Sequence, residues 1–361
     1  MRATAPFYPK PRHHPVISPL RETCMITNRQ VVLKRAPAAM PRAADFDVVP
    51  CPTPAAPPPD GLLVRVIALS MDPYLGGRLR GRHMGEPAPA PGEKLPGFAV
   101  AEILESASSD FDPGEFIVTE TGWTRYAAIP ATNARKVAQG AAPISAHLGV
   151  LGMPGLTAWA GVTQLAKLGP DDIFVVDAAA GAVGGTAGQI AKNLGARAIG
   201  IAGGAAKNTL VTATYGFDAC IDYRADGWQA KLKAATAPGP TVHFENVGES
   251  VLQTVFPMLQ TYGRVVLCGL AEHYHSDGQP PVLPVGPIVG KRAAIYGLVV
   301  YDFYDRLHEW VSLATPWIDS GQLVIHEDAS DGLDSAPAQF ERMLRGQHLG
   351  KAIVRVASEK P

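Results

Sequence analysis

The chain has 361 residues, of which 47% are hydrophobic and 18% charged, and its formal net charge is −1 at pH 7. This length favours two domains with apolar cores, while the nearly balanced charge argues against nucleic acid or an anionic membrane as a main partner. The four cysteines are scattered without a CxxC pair, which argues against a structural zinc site or a disulfide framework and fits a cytoplasmic protein.

The N-terminal part of the chain predicts a tail followed by a β-rich segment. Residues 1–24 are rich in proline and show no sustained periodicity, so we expect a disordered tail that lacks the apolar core of a signal peptide. Short strands are then predicted at residues 31–33, 61–69, 99–105 and 116–119. Proline-rich connectors such as residues 50–59 separate these strands, which is typical of a small β-rich domain.

From about residue 155 the chain alternates between strands and helices. Strands are predicted at residues 173–176, 197–202, 219–223, 241–245, 264–267 and 293–300. Helix-periodic segments lie between them, for example at residues 228–235 and 250–259. Strands connected by helical crossovers predict an α/β fold with a doubly wound parallel sheet.

A segment of mixed pattern follows the last of these strands. It predicts a helix at residues 304–319, a strand at 324–327, a helix at 338–344 and a strand at 352–356. Since the parallel sheet is complete by then, we expect this segment to return to the first domain. The predicted domains are a β-rich one from residues 25–154 and 302–361 and a parallel-sheet one from residues 155–301, with the active site in the cleft between them.

Within the parallel-sheet domain, residues 173–207 predict a dinucleotide-binding unit. The first strand leads into the turn AAGAVG at residues 179–184, then into a helix and a second strand. Gly181 lets the backbone approach a pyrophosphate, Gly184 lets the helix pack close to the strand, and the helix N-terminus offers free N–H groups. Ala179 replaces the first glycine of the usual fingerprint, so the prediction depends on the strand–turn–helix–strand context.

The end of the second strand indicates which dinucleotide is bound. An NAD site carries Asp or Glu there to bind the ribose 2′-hydroxyl. Here Ala202 is followed by Gly203 with no acid, and Lys207 lies nearby, where its ammonium would attract a 2′-phosphate. We therefore predict NADP(H) as the cofactor; the alternative is that Lys207 is an ordinary solvated lysine.

Seven short motifs are spread over the chain. They are DPY at residues 72–74, LGMPGLTAW at 151–159, AAAGAVG at 178–184, GGAAK at 203–207, ENVG at 245–248, CGL at 268–270 and GK at 350–351. From about residue 28 to residue 356 the chain resembles the medium-chain dehydrogenase/reductase superfamily, and within it the zinc-free NADPH-dependent double-bond reductases. The resemblance implies a Rossmann domain that binds NADP and a β-rich GroES-like domain built from the N- and C-terminal segments.

By resemblance, the cofactor site has several parts. The residues that line the pyrophosphate and the 2′-phosphate end are Ala180, Gly181, Ala182, Val183, Gly184, Gly203, Lys207 and Tyr223. Those on the ribose side, in a covering loop and near the nicotinamide are Asn246, Cys268, Gly269, Leu270, Leu298, Val299, Val300 and His348. Simpler roles stay open: Tyr223 as a strand-end aromatic, Asn246 as a turn residue and Cys268 as a small buried packing residue.

The chemistry that the resemblance implies needs no metal. Residues 69–72 offer no cysteine where the zinc-dependent relatives carry one, and residues 97–99 lack their Gly-His-Glu. The pair His273 and His275 is a weak signal. Hydride addition to a conjugated C=C bond puts negative charge on the carbonyl oxygen, which hydrogen-bond donors stabilise. By resemblance these donors are Tyr74 and Tyr274, and we expect Tyr274 to contribute more. The alternatives are that Tyr74 is a domain-interface aromatic and that Tyr274 is a lid residue with no chemical role.

The chain departs from the family pattern at several positions, among them the segment EHYH at residues 272–275, where the family has Ser-x-Tyr-Asn. Gly76 replaces an arginine, Trp159 replaces a tyrosine and His348 replaces an asparagine. Three functions remain as hypotheses: an NADPH-dependent reductase of α,β-unsaturated ketones and aldehydes, an NADPH:quinone reductase and a non-catalytic NADPH-binding protein. We favour the first, with a small electrophilic alkene as substrate and a homodimer as the assembly.

Overall fold

The computed structural model describes residues 27–274, 282–283 and 285–359. Its strands, numbered in chain order, are β1 (Asn28–Leu33), β2 (Phe46–Cys51), β3 (Gly61–Ser70), β4 (Phe98–Ser106), β5 (Phe116–Glu120), β6 (Tyr126–Pro130), β7 (Arg135–Val137), β8 (Ile173–Val176), β9 (Arg197–Ala202), β10 (Ala219–Asp222), β11 (Val242–Glu245), β12 (Arg264–Leu267), β13 (Ala294–Gly297), β14 (Glu327–Asp331) and β15 (Lys351–Arg355). Its α-helices are α1 (Tyr74–Arg78), α2 (Met153–Trp159), α3 (Ala182–Asn193), α4 (Ala205–Thr209), α5 (Trp228–Ala235), α6 (Glu249–Val255), α7 (Val285–Lys291), α8 (Leu307–Asp319) and α9 (Ala336–Leu344). The predicted tail, residues 1–24, and His275 lie outside the described residues.

Six strands form the parallel sheet that the sequence predicts. Their spatial order is β10-β9-β8-β11-β12-β13, and the pairings are parallel. Numbered within the sheet, this is the order 3-2-1-4-5-6 of a Rossmann fold, so the predicted doubly wound sheet is confirmed. The order reverses between β8 and β11, and the loops that follow these two strands therefore open a crevice at the carboxyl edge.

The central strands of this sheet are buried on both faces. Val175 of β8 joins a core cluster with Ile199, whereas its neighbour Phe174 joins the cluster on the opposite face with Phe244 of β11. Side chains alternate across a strand, so a strand that is covered on both sides must be apolar at successive positions. This explains the unbroken apolar run IFVV of β8.

The N- and C-terminal parts of the chain build a second, mixed sheet. Its order is β14-β15-β3-β4-β5-β7, with β6 paired to β3, and β1 pairs with β2 separately. β15 runs antiparallel to β3, so a C-terminal strand completes a sheet that begins near the N-terminus. A buried ion pair joins the same segments: Lys351 Nζ lies 2.6 Å from the Asp72 carboxylate, and each side chain is 6% exposed. The GroES-like unit predicted from both ends of the chain is confirmed.

One predicted C-terminal strand begins in a different place. We expected a strand at residues 324–327, but β14 starts at Glu327. The side chain of Gln189 occupies both backbone groups of Val324: its Oε1 accepts the Val324 N–H at 2.7 Å, and its Nε2 donates to the Val324 carbonyl at 3.3 Å. Both backbone groups of Val324 are already hydrogen-bonded to this side chain, so they do not pair with a neighbouring strand.

The packing of α8 bears on the predicted domain boundaries, which stay predictions. Leu307 and Trp310 of α8 belong to the core cluster that contains Phe174 of the parallel sheet. The Trp310 indole N–H also donates to the Val150 carbonyl at 2.7 Å. The α8 helix therefore packs against the parallel-sheet domain, although the predicted boundary at residue 301 assigns its residues to the β-rich domain.

The described helices are short. α8 is the longest of them at 13 residues, which corresponds to about 20 Å, whereas the hydrocarbon core of a bilayer is about 30 Å thick. Across the described ranges no helix has the length and apolar character that a membrane span requires. A cytoplasmic location stays a prediction.

Candidate active site

A cavity of about 680 Å³ lies between the carboxyl edge of the parallel sheet and the mixed sheet. The predicted site residues that line it are Tyr74, Ala180, Gly181, Ala182, Val183, Gly184, Gly203, Lys207, Tyr223, Asn246, Cys268, Gly269, Tyr274, Leu298, Val299, Val300 and His348. Leu270 is not part of the lining and is 39% exposed. The fold therefore brings all the predicted site residues except Leu270 together at the cavity, while their individual roles stay predictions.

The turn after β8 is shaped by close backbone contacts. A Cβ on Gly184 would lie 2.6 Å from the Ala178 carbonyl oxygen and 2.8 Å from that of Asp177, so only glycine lets α3 pack this close to the strand. The first N–H groups of α3 have no acceptor within the helix. Gly181 and Ala182 line the cavity, which places the positive end of the helix dipole at its wall. This end of the cavity suits a pyrophosphate.

A hydrogen bond ties this turn to the C-terminal part of the chain. Gly350 donates its N–H to the Ala180 carbonyl at 2.9 Å. Gly350 has a φ of +78°, and a Cβ there would lie 2.1 Å from the His326 carbonyl oxygen. Glycine is therefore required at this position next to His326, and its N–H links the C-terminal segment to the turn after β8 at the cavity.

Two cations meet at the end of the cavity where the 2′-phosphate is expected. Burial lowers the pKa of Lys207, and the guanidinium of Arg224 lowers it further, while Asp328 opposes the shift. The Arg224 guanidinium lies 5.7 Å from the centre of the Tyr223 ring, and its Nε lies 2.7 Å from the position of a Cβ on Gly203. A bound phosphate would relieve the repulsion between the two cations, so the chemistry of this corner fits NADP(H).

An acid does lie near this corner, at the end of the third strand of the sheet rather than the second. The Asp222 carboxylate accepts the Gly204 N–H at 3.0 Å and the Arg224 N–H at 2.9 Å. These two hydrogen bonds lower the pKa of Asp222. The carboxylate therefore links the start of α4, which carries Lys207, to the segment that carries Arg224.

Tyr74 and Tyr274 line the cavity from different elements. Tyr74 begins α1, and its hydroxyl is enclosed with no hydrogen-bond partner among the described residues. Burial, followed by the charge of Asp72, raises the pKa of Tyr74 well above its usual value, so the hydroxyl is a neutral donor. The Tyr274 hydroxyl accepts the Leu270 N–H at 3.4 Å, and burial raises its pKa as well. A ligand oxygen would satisfy the Tyr74 hydroxyl, whose burial without a partner costs free energy.

His348 contributes a neutral imidazole to the cavity wall. Burial lowers the pKa of His348 to about 4, and the charge of Lys207 acts in the same direction. Its Nδ1 is enclosed and has no partner within the described part of the chain. The imidazole can still donate and accept hydrogen bonds, so it retains the capacity of the amide that it replaces in the family pattern.

Cys268 has the properties of a packing residue rather than a nucleophile. Burial, with the charges of Asp177 and Glu245 adding to it, raises the pKa of the Cys268 thiol to about 12. A thiol of this kind is not ionised near neutral pH and is unreactive. The simpler of the two roles that the sequence left open therefore agrees with its surroundings.

Sequence reasoning missed several residues of the cavity. His83 and Tyr301 meet there, with the His83 Nε2 lying 3.2 Å from the Tyr301 hydroxyl, and the rings of His83 and Tyr74 have centres 4.7 Å apart. His83 and Tyr301 are 218 positions apart, so no local pattern connects them. Arg224 does not line the cavity, but its charge acts on Lys207. It directly follows Tyr223, and a search for a second cation near Lys207 would have found it.

Among the described residues, one group of His, Cys, Asp and Glu side chains is close enough to share an ion: Asp177, His243 and Glu245. All three are buried, Asp177 belongs to the cavity lining, and the group includes no cysteine. Their carboxylates are already bonded to backbone N–H groups and to the imidazole. That the chemistry needs no metal stays a prediction.

Comparison with known proteins identifies relatives over most of the chain. Two family models match, the N-terminal domain of oxidoreductase over residues 29–137 and the zinc-binding dehydrogenase over residues 182–318. The chain is 33% identical over 338 residues to the NADPH-dependent curcumin reductase of Escherichia coli (strain K12), covering 92% of this chain and 98% of that protein. It is 33% identical over 342 residues to a 2-alkenal reductase (NADP(+)-dependent) of Nicotiana tabacum, covering 92% and 99%.

A solved structure with the cofactor has the same fold. CurA from Vibrio vulnificus in complex with NADPH matches with a TM-score of 0.86 at 33% identity, covering 91% of this chain and 99% of that one. The predicted family and the predicted cofactor, NADPH, are confirmed by these relatives. The chain belongs to the medium-chain dehydrogenase/reductase superfamily, and within it to the curcumin, alkenal and prostaglandin reductase-like NADP-dependent oxidoreductases.

Proposed function

We propose that the protein reduces the C=C bond of α,β-unsaturated ketones and aldehydes with NADPH. The observation that carries this proposal is the Tyr74 hydroxyl, which is enclosed in the cavity wall without a partner among the described residues. A buried neutral donor suits a carbonyl oxygen that gains negative charge during the reaction. Two relatives, a curcumin reductase and a 2-alkenal reductase, support the same class of substrate by their names.

When bound, NADPH would supply a hydride for the β-carbon of the substrate. Lys207 and Arg224 would hold the 2′-phosphate, and the turn at residues 180–184 would hold the pyrophosphate. Tyr74 and Tyr274 would donate hydrogen bonds to the carbonyl oxygen, where the negative charge of the enolate develops. The α-carbon then takes a proton from one of these hydroxyls or from water.

A panel of acceptors tests the substrate class. Purified protein would be incubated with NADPH and, separately, with an aliphatic enone, the matching saturated ketone and benzoquinone. We expect NADPH consumption with the enone, a saturated product, and no reaction with the saturated ketone. NADPH deuterated at the transferred position should deliver deuterium to the β-carbon.

The same panel separates the alternatives. Turnover of benzoquinone without turnover of any enone would make the protein a quinone reductase. Tight NADPH binding without turnover of any acceptor would make it a non-catalytic binding protein. Either outcome would contradict the proposed function.

We also propose that the protein is a homodimer. Among the described strands β13 is the outermost of the parallel sheet on its side, and the neighbouring α7 carries Val285 and Val289, each 71% exposed. A free strand edge beside exposed apolar side chains is a surface that a second copy can cover. Size-exclusion chromatography with light scattering should therefore give twice the chain mass of 38.1 kDa, and a monomer at micromolar concentration would contradict the proposal.

A further inference from the structure

Beside the cofactor cavity, three buried polar side chains form a cluster, of which Asp177 belongs to the cavity lining. Asp177 directly follows β8, and His243 and Glu245 lie on the adjacent strand β11. Their exposed fractions are 1%, 0% and 1%. The His243 Nε2 lies 3.1 Å from the Asp177 carboxylate and 3.5 Å from that of Glu245. The neutral thiol of Cys268, after β12, is the other titratable group within the described ranges that faces the cluster.

The cluster holds the turn that follows β11, residues 246–248. The Asp177 carboxylate accepts the Asn246 N–H at 2.7 Å. One oxygen of Glu245 accepts the N–H groups of both Val247 and Gly248, each at 2.7 Å. Asn246 and Val247 line the cavity, so the position of this part of the wall depends on the geometry of the cluster.

The turn at residues 246–248 also supports the loop that follows β12. The Ala271 N–H donates to the Asn246 carbonyl at 3.3 Å, and the Glu272 N–H donates to the Val247 carbonyl at 2.9 Å. A Cβ on Gly269 would lie 2.6 Å from the same Asn246 oxygen, so the two segments are in close contact. A displacement of the turn would therefore also move the loop that leads to Tyr274 in the cavity wall.

The cluster has too few hydrogen-bond donors for two ionised carboxylates. Glu245 Oε2 is enclosed and has no hydrogen-bond partner among the described residues, although it faces His243. Burial raises the pKa of Asp177 to about 7 and that of Glu245 to about 8, with the charge of Asp177 adding to the second shift. Burial also lowers the pKa of His243, so a neutral imidazole does not offset the carboxylate charges. Two carboxyls that share a dry site retain a proton between them near neutral pH.

We propose that Asp177, His243 and Glu245 are positioning residues that share a proton and thereby hold the turn at residues 246–248 in place for the cofactor. When the shared proton passes to solvent, two buried carboxylates repel each other, the turn moves and NADPH binds more weakly. Both carboxyls bind protons more tightly here than in an unfolded chain, where their pKa values are about 4. The stabilising effect is therefore complete at low pH and is lost as the pH rises through about 7 to 8.

NADPH affinity measured as a function of pH tests this proposal. Dissociation constants would be determined from pH 6.5 to pH 9.5 (about three units, chosen to span the shared proton) for the wild type, Glu245→Gln and Asp177→Asn. Titration of Lys207 contributes equally to all three proteins, so a difference in slope isolates the cluster. We expect the wild-type dissociation constant to rise at least about tenfold more over this range than that of Glu245→Gln, whose amide has no proton to lose.

Two controls keep the result interpretable. Glu249→Gln removes a carboxylate that lies on α6 and bonds to Gln253, and it should show the wild-type slope. Infrared spectra of the wild type should show a protonated carboxyl at pH 7 that disappears above about pH 9, a measurement that requires no variant to fold. Equal slopes for wild type and Glu245→Gln, or no protonated carboxyl at pH 7, would overturn the proposal. Since only cofactor binding is measured, the result is independent of whether enones are the substrate.

Discussion

Replacing Lys207 by alanine should weaken NADPH binding and leave NADH binding almost unchanged. The Lys207 ammonium and the Arg224 guanidinium repel each other, and the phosphate that distinguishes the two cofactors would pair with both. A hydrogen bond to a charged group contributes about 1–3 kcal/mol. Arg224 remains in the variant and still pairs with the phosphate, so we expect a loss of about 1–2 kcal/mol, or roughly 5- to 30-fold in dissociation constant.

Calorimetric titration of both cofactors at one fixed salt concentration measures this effect, since salt screens contacts between phosphate and cations. Lys192→Ala is the matched control, because Lys192 lies in α3 and pairs with Asp218 at 2.8 Å. Arg224→Ala should weaken NADPH binding by a similar factor, and the double variant should lose more than either. An equal loss for NADPH and NADH, or no loss for NADPH, would refute the assignment of the 2′-phosphate to this corner.

Three other predictions concern stability and metal. Asp72→Ala should lower the free energy of unfolding in urea by about 3–5 kcal/mol because it leaves the buried Lys351 ammonium unpaired, and a loss below about 1 kcal/mol would show that water reaches the pair. Trp310→Ala should cost about 3–5 kcal/mol by the same measurement, since this side chain is fully buried and bonded to Val150, whereas Leu313→Ala at a 39% exposed position of the same helix should cost far less. Exhaustive chelation should leave activity and melting temperature unchanged, and stoichiometric zinc that is lost together with activity would contradict the metal-free mechanism.

Local pattern was sufficient where the fold covers both faces of a strand. The strands predicted at residues 197–202 and 264–267 have the bounds of β9 and β12, and the helix predicted at residues 228–235 has those of α5. In a parallel sheet each strand is an apolar run of limited length, and the flanking turn residues mark its ends. The glycine turn and Lys207 were predicted in the same way, because a cofactor site of this kind depends on short-range order along the chain.

The features that the sequence did not predict depend mostly on contacts between residues far apart in the chain. The strand expected at residues 324–327 was displaced because Gln189, 135 positions away, occupies the backbone of Val324. The helix expected from residue 304 begins at Leu307, after a 3-10 turn over residues 300–306. The buried contact between Asp177 and His243 spans 66 positions, and each residue alone is an ordinary polar side chain near a strand end. Such contacts follow from the packing of the sheets and not from local periodicity.

The stabilisation of the enolate is tested most directly by hydride transfer in Tyr74→Phe and Tyr274→Phe. Each substitution keeps the aromatic ring and removes only the hydroxyl. Loss of one oxyanion donor typically reduces turnover by about 10²–10³, and sharing between two donors would make each single loss smaller. We expect the larger loss for Tyr74, because its hydroxyl has no other partner among the described residues, whereas that of Tyr274 contacts the Leu270 N–H. This ranking reverses the one expected from the sequence.

The measurement is single-turnover oxidation of NADPH with a saturating enone, with NADPH affinity recorded for each variant. Tyr262→Phe is the control, since Tyr262 is 71% exposed and does not line the cavity. We predict that hydride transfer slows in Tyr74→Phe and Tyr274→Phe while NADPH affinity is preserved, and that Tyr262→Phe transfers hydride at the wild-type rate. Hydride transfer at the wild-type rate in both cavity variants would show that the two tyrosines are packing residues and would contradict the proposed mechanism.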